Sequence, residues 1–246
     1  MSALLELRDV WAEYGPFRAL FGVSLKIEPG GAVALLGANG AGKTTVARVA
    51  TGLVQASAGQ VLVGGAEMTH SPTYAYARTG IVHAPEGRSI FATFTVEENL
   101  NLSFRSFLGK AKVRESLAKA FDLFPRLGER RLQLAGTLSG GEQRMLSLAR
   151  VLVLEPRLLI ADELSLGLAP IVVDEVYTTL EAIRGLGTAL LIVEQHIGHA
   201  LDLCDDVVLL EHGRVAWNGS ADNAADVVVS RLFESDGRSE ERGRNG

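Results

Sequence analysis

Gly37–Thr44 reads GANGAGKT, a match to GxxxxGKT set directly between an apolar run that reads as a strand, Ala32–Leu36, and a helix that starts near Lys43. The strand–loop–helix context is what this motif requires, and it commits the chain to an α/β sheet with helices packed on it. Gly37, Gly40 and Gly42 let backbone amides wrap phosphate groups, Lys43 reaches the terminal phosphates, and the Thr44 hydroxyl can ligate magnesium. The motif specifies a nucleoside triphosphate with its metal. Alone it does not separate kinases, GTPases, motors and transport ATPases.

A second phosphate-seeking element follows about a hundred residues later. Leu138–Gln143 reads LSGGEQ, with Ser139 as a favoured N-cap and Glu142 three residues on to complete a capping box. MLSLARVLVL continues with helical apolar spacing, so Ser139 is expected to open a helix. Gly140 and Gly141 keep side chains off its first turn, which leaves amides and the positive end of the dipole open to an anion. One nucleotide needs only one such cradle. An ordinary capped helix is the alternative on these six residues alone.

The chain of 246 residues, 47% hydrophobic, is enough for one substantial core with a smaller lobe. Residues 4–35 read as short strands turning at Gly15-Pro16 and at residues 28–31. Thr95 and Glu98 form a further capping box, and Val113, Leu117, Phe121 and Phe124 share one helix face, so about 88–155 reads as a helical subdomain inserted in the catalytic core. Beyond it, LLIA and ALLIV alternate with helices in the rhythm of a mainly parallel sheet, and DVVLLEHGRVAW closes as a strand pair around His212-Gly213. Residues 1–234 are expected to form a single domain, with 235–246 a disordered tail.

The net charge of −5 supplies no basic footprint, so nucleic acid is not an expected partner. Cys204 is the single cysteine, which excludes an internal disulfide and reads as a small core residue. Glu6, Arg8 and Asp9 interrupt the first apolar stretch, unlike a signal peptide, and no apolar run approaches a membrane span. A membrane role would therefore come through a partner and not by direct insertion.

Arg157–Glu163 runs RLLIADE, a buried strand ending in two carboxylates. In open α/β sheets ligands sit at the carboxyl ends of strands. Asp162 can hold magnesium as the acidic partner of Thr44, and Glu163 can polarise an attacking water. Without the loop at Lys43, such a pair is equally a solvated loop start.

GANGAGKTT, LSGGEQ and LLIADE, in this order, resemble the ATP-binding subunit of an ABC transporter over residues 4 to about 233. The resemblance implies a P-loop NTPase fold of the ABC ATPase type: a mixed or parallel central sheet, an antiparallel β lobe and a helical subdomain. It implies ATP bound by Gly37, Ala38, Asn39, Gly40, Ala41, Gly42, Lys43, Thr44 and Thr45, with Tyr14 stacked on adenine. It also implies head-to-tail pairing with a second ABC ATPase, so that Leu138, Ser139, Gly140, Gly141, Glu142 and Gln143 of one subunit meet the ATP held by Lys43 of the other. Two membrane permeases complete the assembly, and the chain is placed peripherally on the cytoplasmic face of a bacterial cell membrane.

HAPEGRSIFATFTVEENL, DELSLGLAP and IVEQH further resemble the ATPases of branched-chain amino acid importers, of the LivF type. There Glu86 stands where most ABC ATPases have a glutamine that touches magnesium and water, and Arg88–Phe94 lies where the permease docks. Phe91 and Phe94 are either docking anchors or packing for the helical lobe. Gln195 aligns with the histidine that senses the γ-phosphate in many relatives, and His196 falls one residue later. Ala169 replaces a linking aspartate, and Leu164 replaces a proline, which should loosen the turn after Glu163. His70, His83, His199 and His212 share no metal-like spacing and read as surface or turn residues. A soluble accessory ABC ATPase, as in iron–sulfur cluster assembly, and a lipid or lipopolysaccharide exporter subunit are the competing functions.

Overall fold

The computed structural model describes residues 2–224 and 227, apart from 86, 88, 153 and 196. Glu86, His196, the expected domain limit at 234 and the expected tail over 235–246 lie outside the described residues. The chain opens with a hairpin of β1 (Leu5–Tyr14) and β2 (Phe17–Ile27), then β3 (Ala32–Leu36) leads into α1 (Lys43–Val49). After β4 (Ala58–Val63), β5 (Ala66–Glu67), α2 (Thr73–Arg78) and β6 (Ile81–Ala84) come the helices α3 (Val96–Leu108), α4 (Val113–Leu123), α5 (Pro125–Glu129) and α6 (Gly140–Leu152). The remainder alternates: β7 (Leu158–Asp162), α7 (Pro170–Gly185), β8 (Ala189–Glu194), α8 (Gly198–Leu203), and the closing pair β9 (Asp206–Glu211) and β10 (Arg214–Ser220).

Two sheets result. The antiparallel lobe has the order β2-β1-β4-β5, and the larger sheet β10-β9-β3-β8-β7-β6 is parallel except for β10. The opening strands are longer than the short strands expected, because β1 continues its pairing with β2 through register shifts between Leu7 and Val10 and again near Trp11.

Both faces of the parallel sheet are covered, which is why β3, β7 and β8 are apolar without alternation and buried throughout. Val33, Leu35, Leu191 and Val193 point to one core, shared with α1 and the antiparallel lobe. Ala34, Leu36, Leu190 and Ile192 point to the other, where Phe104 of α3, Leu146 and Leu148 of α6 and Leu180 of α7 close over them. Leu146, Leu148 and Phe104 are fully buried, each worth roughly 1.5–3 kcal/mol of apolar transfer. Cys204 belongs to this second core as expected, and burial pushes its thiol up to about 12. Among the described residues no helix is long and apolar enough to cross a membrane.

Thr95 caps α3 as its spacing predicts: its hydroxyl accepts from the Glu98 amide, and the Glu98 carboxylate accepts from the Thr95 amide at 2.8 Å. Val113 and Phe124 are buried and Leu117 and Phe121 partly so, the face expected of that segment.

Candidate active site

The parallel order β3-β8-β7-β6 brings four carboxyl ends to one edge. β3 runs into the Gly37–Thr44 loop, β8 into Gln195, β7 into Asp162-Glu163, and β6 into Pro85. Residues scattered over 150 positions of sequence are thus neighbours because their strands are.

At this edge Lys43 is buried, and its ammonium donates to the carbonyls of Gly37 at 3.0 Å and Ala38 at 3.2 Å. The same nitrogen lies 3.4 Å from Oε1 of Glu163. Gly37 sits so close to β9 that a Cβ would stand 2.3 Å from the Leu210 carbonyl, so no side chain fits where the loop leaves its strand. The Thr44 hydroxyl donates to Oδ1 of Asp162 at 3.4 Å, while Oδ2 of Asp162 is buried with no hydrogen-bond partner. A hydroxyl and a carboxylate with uncommitted acceptor capacity form a hard-oxygen set of the kind magnesium selects.

His83 corrects the sequence reading. It is not a surface or turn residue: it lies on β6 with its side chain 9% exposed, and Nε2 is 3.6 Å from Oδ2 of Asp162. The pairing of His83 with Ile160 across β6 and β7 sets it there, a register that histidine spacing does not encode. Arg18, Ala19, Phe21 and the His212-Gly213 turn were also missed. They line, with Lys43, Thr44 and Glu163, a cleft of about 410 Å³. Gly213 is held by its amide on the Ala41 carbonyl at 2.8 Å, so the β9–β10 turn buttresses the phosphate loop. The glycine in a two-residue strand connection was the only sequence signal for it.

Tyr14 ends β1, is 40% exposed, and its hydroxyl accepts from Arg48 of α1 at 3.4 Å. It does not line the cleft at Lys43. Gln195 is partly buried. Phe91 and Phe94 are 45% and 39% exposed and pack on each other with ring centroids 5.5 Å apart, and the Arg150 guanidinium of α6 lies 5.3 Å from the Phe91 ring centroid.

Ser139 caps α6. Its amide and hydroxyl donate to Oε2 of Glu142, both at 2.9 Å, and its hydroxyl accepts from the Glu142 amide at 3.3 Å. Burial works to raise the Glu142 carboxyl, but the Ser139 bonds together with Arg130 outweigh it and hold the group below the usual value of 4.5. A depressed carboxyl stabilises the fold above its unfolded value and loses that contribution as pH falls through the folded one. Glu142→Ala is therefore expected to cost about 1 kcal/mol near neutrality, and urea melts of the two proteins should converge as pH is taken well below 4.5.

The hexapeptide is not presented whole. Leu138 is buried in the core, and the Gln143 side chain turns inward to donate to the carbonyls of Ala135 at 3.0 Å and Leu138 at 3.1 Å. The side chains of these two expected contact residues therefore face the core, Leu138 from the turn before α6 and Gln143 from its first turn. Ser139, Gly140, Gly141 and Glu142 remain accessible. Gly141 has an additional reason to lack a side chain, since a Cβ would stand 2.5 Å from Cγ1 of Val172 on α7.

The chain matches the family described as ABC transporter over residues 20–165. It is 42% identical over 215 residues to the high-affinity branched-chain amino acid transport ATP-binding protein BraG of Pseudomonas aeruginosa, covering 87% of this chain and 92% of that protein. It is 36% identical over 211 residues to the probable branched-chain amino acid transport ATP-binding protein LivF of Archaeoglobus fulgidus, covering 85% and 89%. Among solved structures, a nucleotide-free ATP-binding cassette from an ABC transporter superposes with a TM-score of 0.82 at 25% identity, covering 93% of this chain and 95% of that one.

Proposed function

This chain belongs to the ABC transporter family as an ATP-binding, ATP-hydrolysing subunit, and on that premise we propose that it energises uptake of branched-chain or related amino acids. The observation that carries the enzymatic part is the meeting of Lys43, Thr44, Asp162 and Glu163 within 3.4 Å contacts at the end of the parallel sheet. The cargo rests on likeness: 42% identity to BraG, against 30% to the lipopolysaccharide export ATP-binding protein LptB of Haemophilus influenzae.

Lys43 and the amides of residues 37–44 take up charge on the transferring phosphoryl group, which requires it to leave the Gly37 and Ala38 carbonyls for the phosphates. Thr44 and Asp162 are the residues that would hold magnesium, which supplies charge neutralisation between the phosphates when bound. Glu163 orients the attacking water and receives its proton. Gln195, at the end of β8, faces the same edge. Glu86 is proposed for the metal and water from the resemblance alone, and Tyr14 for the adenine.

Completion of the site requires a second subunit. Ser139 and Gly141 of a homologous ATPase close over the γ-phosphate from the capped end of α6, in a head-to-tail pair. Two permeases dock against the surface near Phe91 and Phe94, which places the chain on the cytoplasmic face of a cell membrane. Adenine stacking by Tyr14 needs movement of its exposed side chain, which does not line the cleft at Lys43.

The test is uptake of labelled leucine by cells or vesicles in which the chain carries Lys43→Ala. Loss of uptake is expected. Undiminished uptake with abolished ATP hydrolysis would remove the cargo assignment, and isolation of the chain from detergent-solubilised membranes without permeases would favour an accessory ATPase.

A further inference from the structure

We propose that Glu194 is a positioning residue for hydrolysis: by accepting both donors of Ser165, its carboxylate fixes the turn that presents Glu163. The proposal rests on the reading of Glu163 as the base. Glu194 is the last residue of β8 and is 2% exposed. The Ser165 amide donates to its Oε1 at 3.0 Å and the Ser165 hydroxyl to its Oε2 at 2.8 Å. A buried carboxylate that binds one residue through backbone and side chain together dictates where that residue sits.

That residue follows a strained element. Glu163 has φ 48°, a left-handed conformation uncommon outside glycine and asparagine. Such a residue persists only where its surroundings determine it. Here the Glu163 amide donates to the Val193 carbonyl at 2.8 Å, the Glu163 carbonyl accepts from Arg144 at 3.0 Å, and Glu194 holds the chain two residues on. With the backbone held in this way, the Glu163 side chain is aimed at Lys43, 3.4 Å away. No ring at position 164 fixes this turn. Leu164 is instead 2% exposed, its side chain committed to the core. The expected loosening by Leu164 is thus offset by hydrogen bonds, and the Glu194 pair is the part of that set made by a side chain from the neighbouring strand.

Glu194 does not line the cleft and is not a candidate base. Burial, the largest influence on it, pushes its carboxyl up, so keeping a charge there opposes folding. Glutamine relieves that cost, keeps Oε1 as acceptor for the Ser165 amide and reverses the second bond, its Nε2 donating to the Ser165 hydroxyl oxygen. Alanine removes both bonds.

The experiment compares the wild-type full chain, assembled with its partner ATPase, with Glu194→Ala, Glu194→Gln, Ser165→Ala, the Glu194→Ala/Ser165→Ala double variant and Glu163→Gln. Steady-state ATP hydrolysis, binding of a fluorescent ATP analogue and thermal melting are read on each. Glu194→Ala and Ser165→Ala are each expected to lower kcat per folded protein by about tenfold, with KM and analogue affinity within about twofold, whereas Glu194→Gln, which keeps both contacts, stays within about twofold of wild type. The double variant should be no slower than the worse single one, since both break the same contact. Wild-type kcat in Glu194→Ala, alongside an inactive Glu163→Gln, overturns the clamp and leaves the base assignment standing. Loss of kcat only in step with loss of folded protein also overturns it. Full turnover by Glu163→Gln removes the base, and the clamp's role with it.

Discussion

Glu163→Gln is expected to bind ATP with near wild-type affinity and to hydrolyse it about a thousandfold more slowly. The substitution keeps the size of the side chain and its place beside Lys43, 3.4 Å from Oε1, so the cleft retains its shape. What it removes is the capacity to accept a proton from water, a contribution of roughly 10²- to 10⁴-fold when a positioned side chain supplies it. Lys43 loses an ionic partner but keeps the Gly37 and Ala38 carbonyls in the absence of nucleotide. Freeing it from a neighbouring negative charge favours phosphate, and affinity is expected to hold or rise. Equilibrium titration with a fluorescent ATP analogue and phosphate release on the same preparation separate the two quantities. Full turnover would remove Glu163 from the role of base.

Ser139→Arg is expected to abolish hydrolysis by the assembled pair of ATPases while leaving ATP binding by the isolated chain unchanged. None of the residues around the Lys43 cleft is among those bordering the groove at Ser139, so the two surfaces can be altered separately. Arginine at this position removes the cap, sets a cation at the positive end of α6 and projects into the space a facing nucleotide would occupy. Only the last effect blocks pairing. Ser139→Ala, which loses the cap at a cost of about 1 kcal/mol without adding bulk, distinguishes them: it should retain most activity. Unchanged ATPase activity of the complex carrying Ser139→Arg would refute the facing-site geometry.

What the residues declared in advance were features with local causes. The phosphate loop needs its own glycines and lysine in order, and both capping boxes, at Thr95 and at Ser139, need partners three residues apart; all appear as their spacing predicts. Parallel strands were readable from unbroken apolar runs because both faces of that sheet are buried. What escaped was anything set by register or by helix phase. His83 reaches Asp162 only because β6 pairs with β7 at a particular offset, and Gln143 turns inward only because α6 is rotated as it is. Arg144 escaped for the same reason: its bonds to the carbonyls of Gly87 and Glu163 join segments 57 and 19 residues away. Backbone carbonyls carry no signature in a sequence, so a side chain that recognises them looks like any other surface arginine.

Cys204 lends itself to a practical use. Its thiol is buried, and burial pushes its ionisation well above that of an ordinary cysteine, so the reactive thiolate is scarce at neutral pH. Towards maleimides the native chain therefore behaves as though it had no cysteine at all. A reporter thiol introduced at an exposed position would be the sole point of labelling, and a pair of dyes could follow the approach of two subunits without first stripping the protein of its own sulfur.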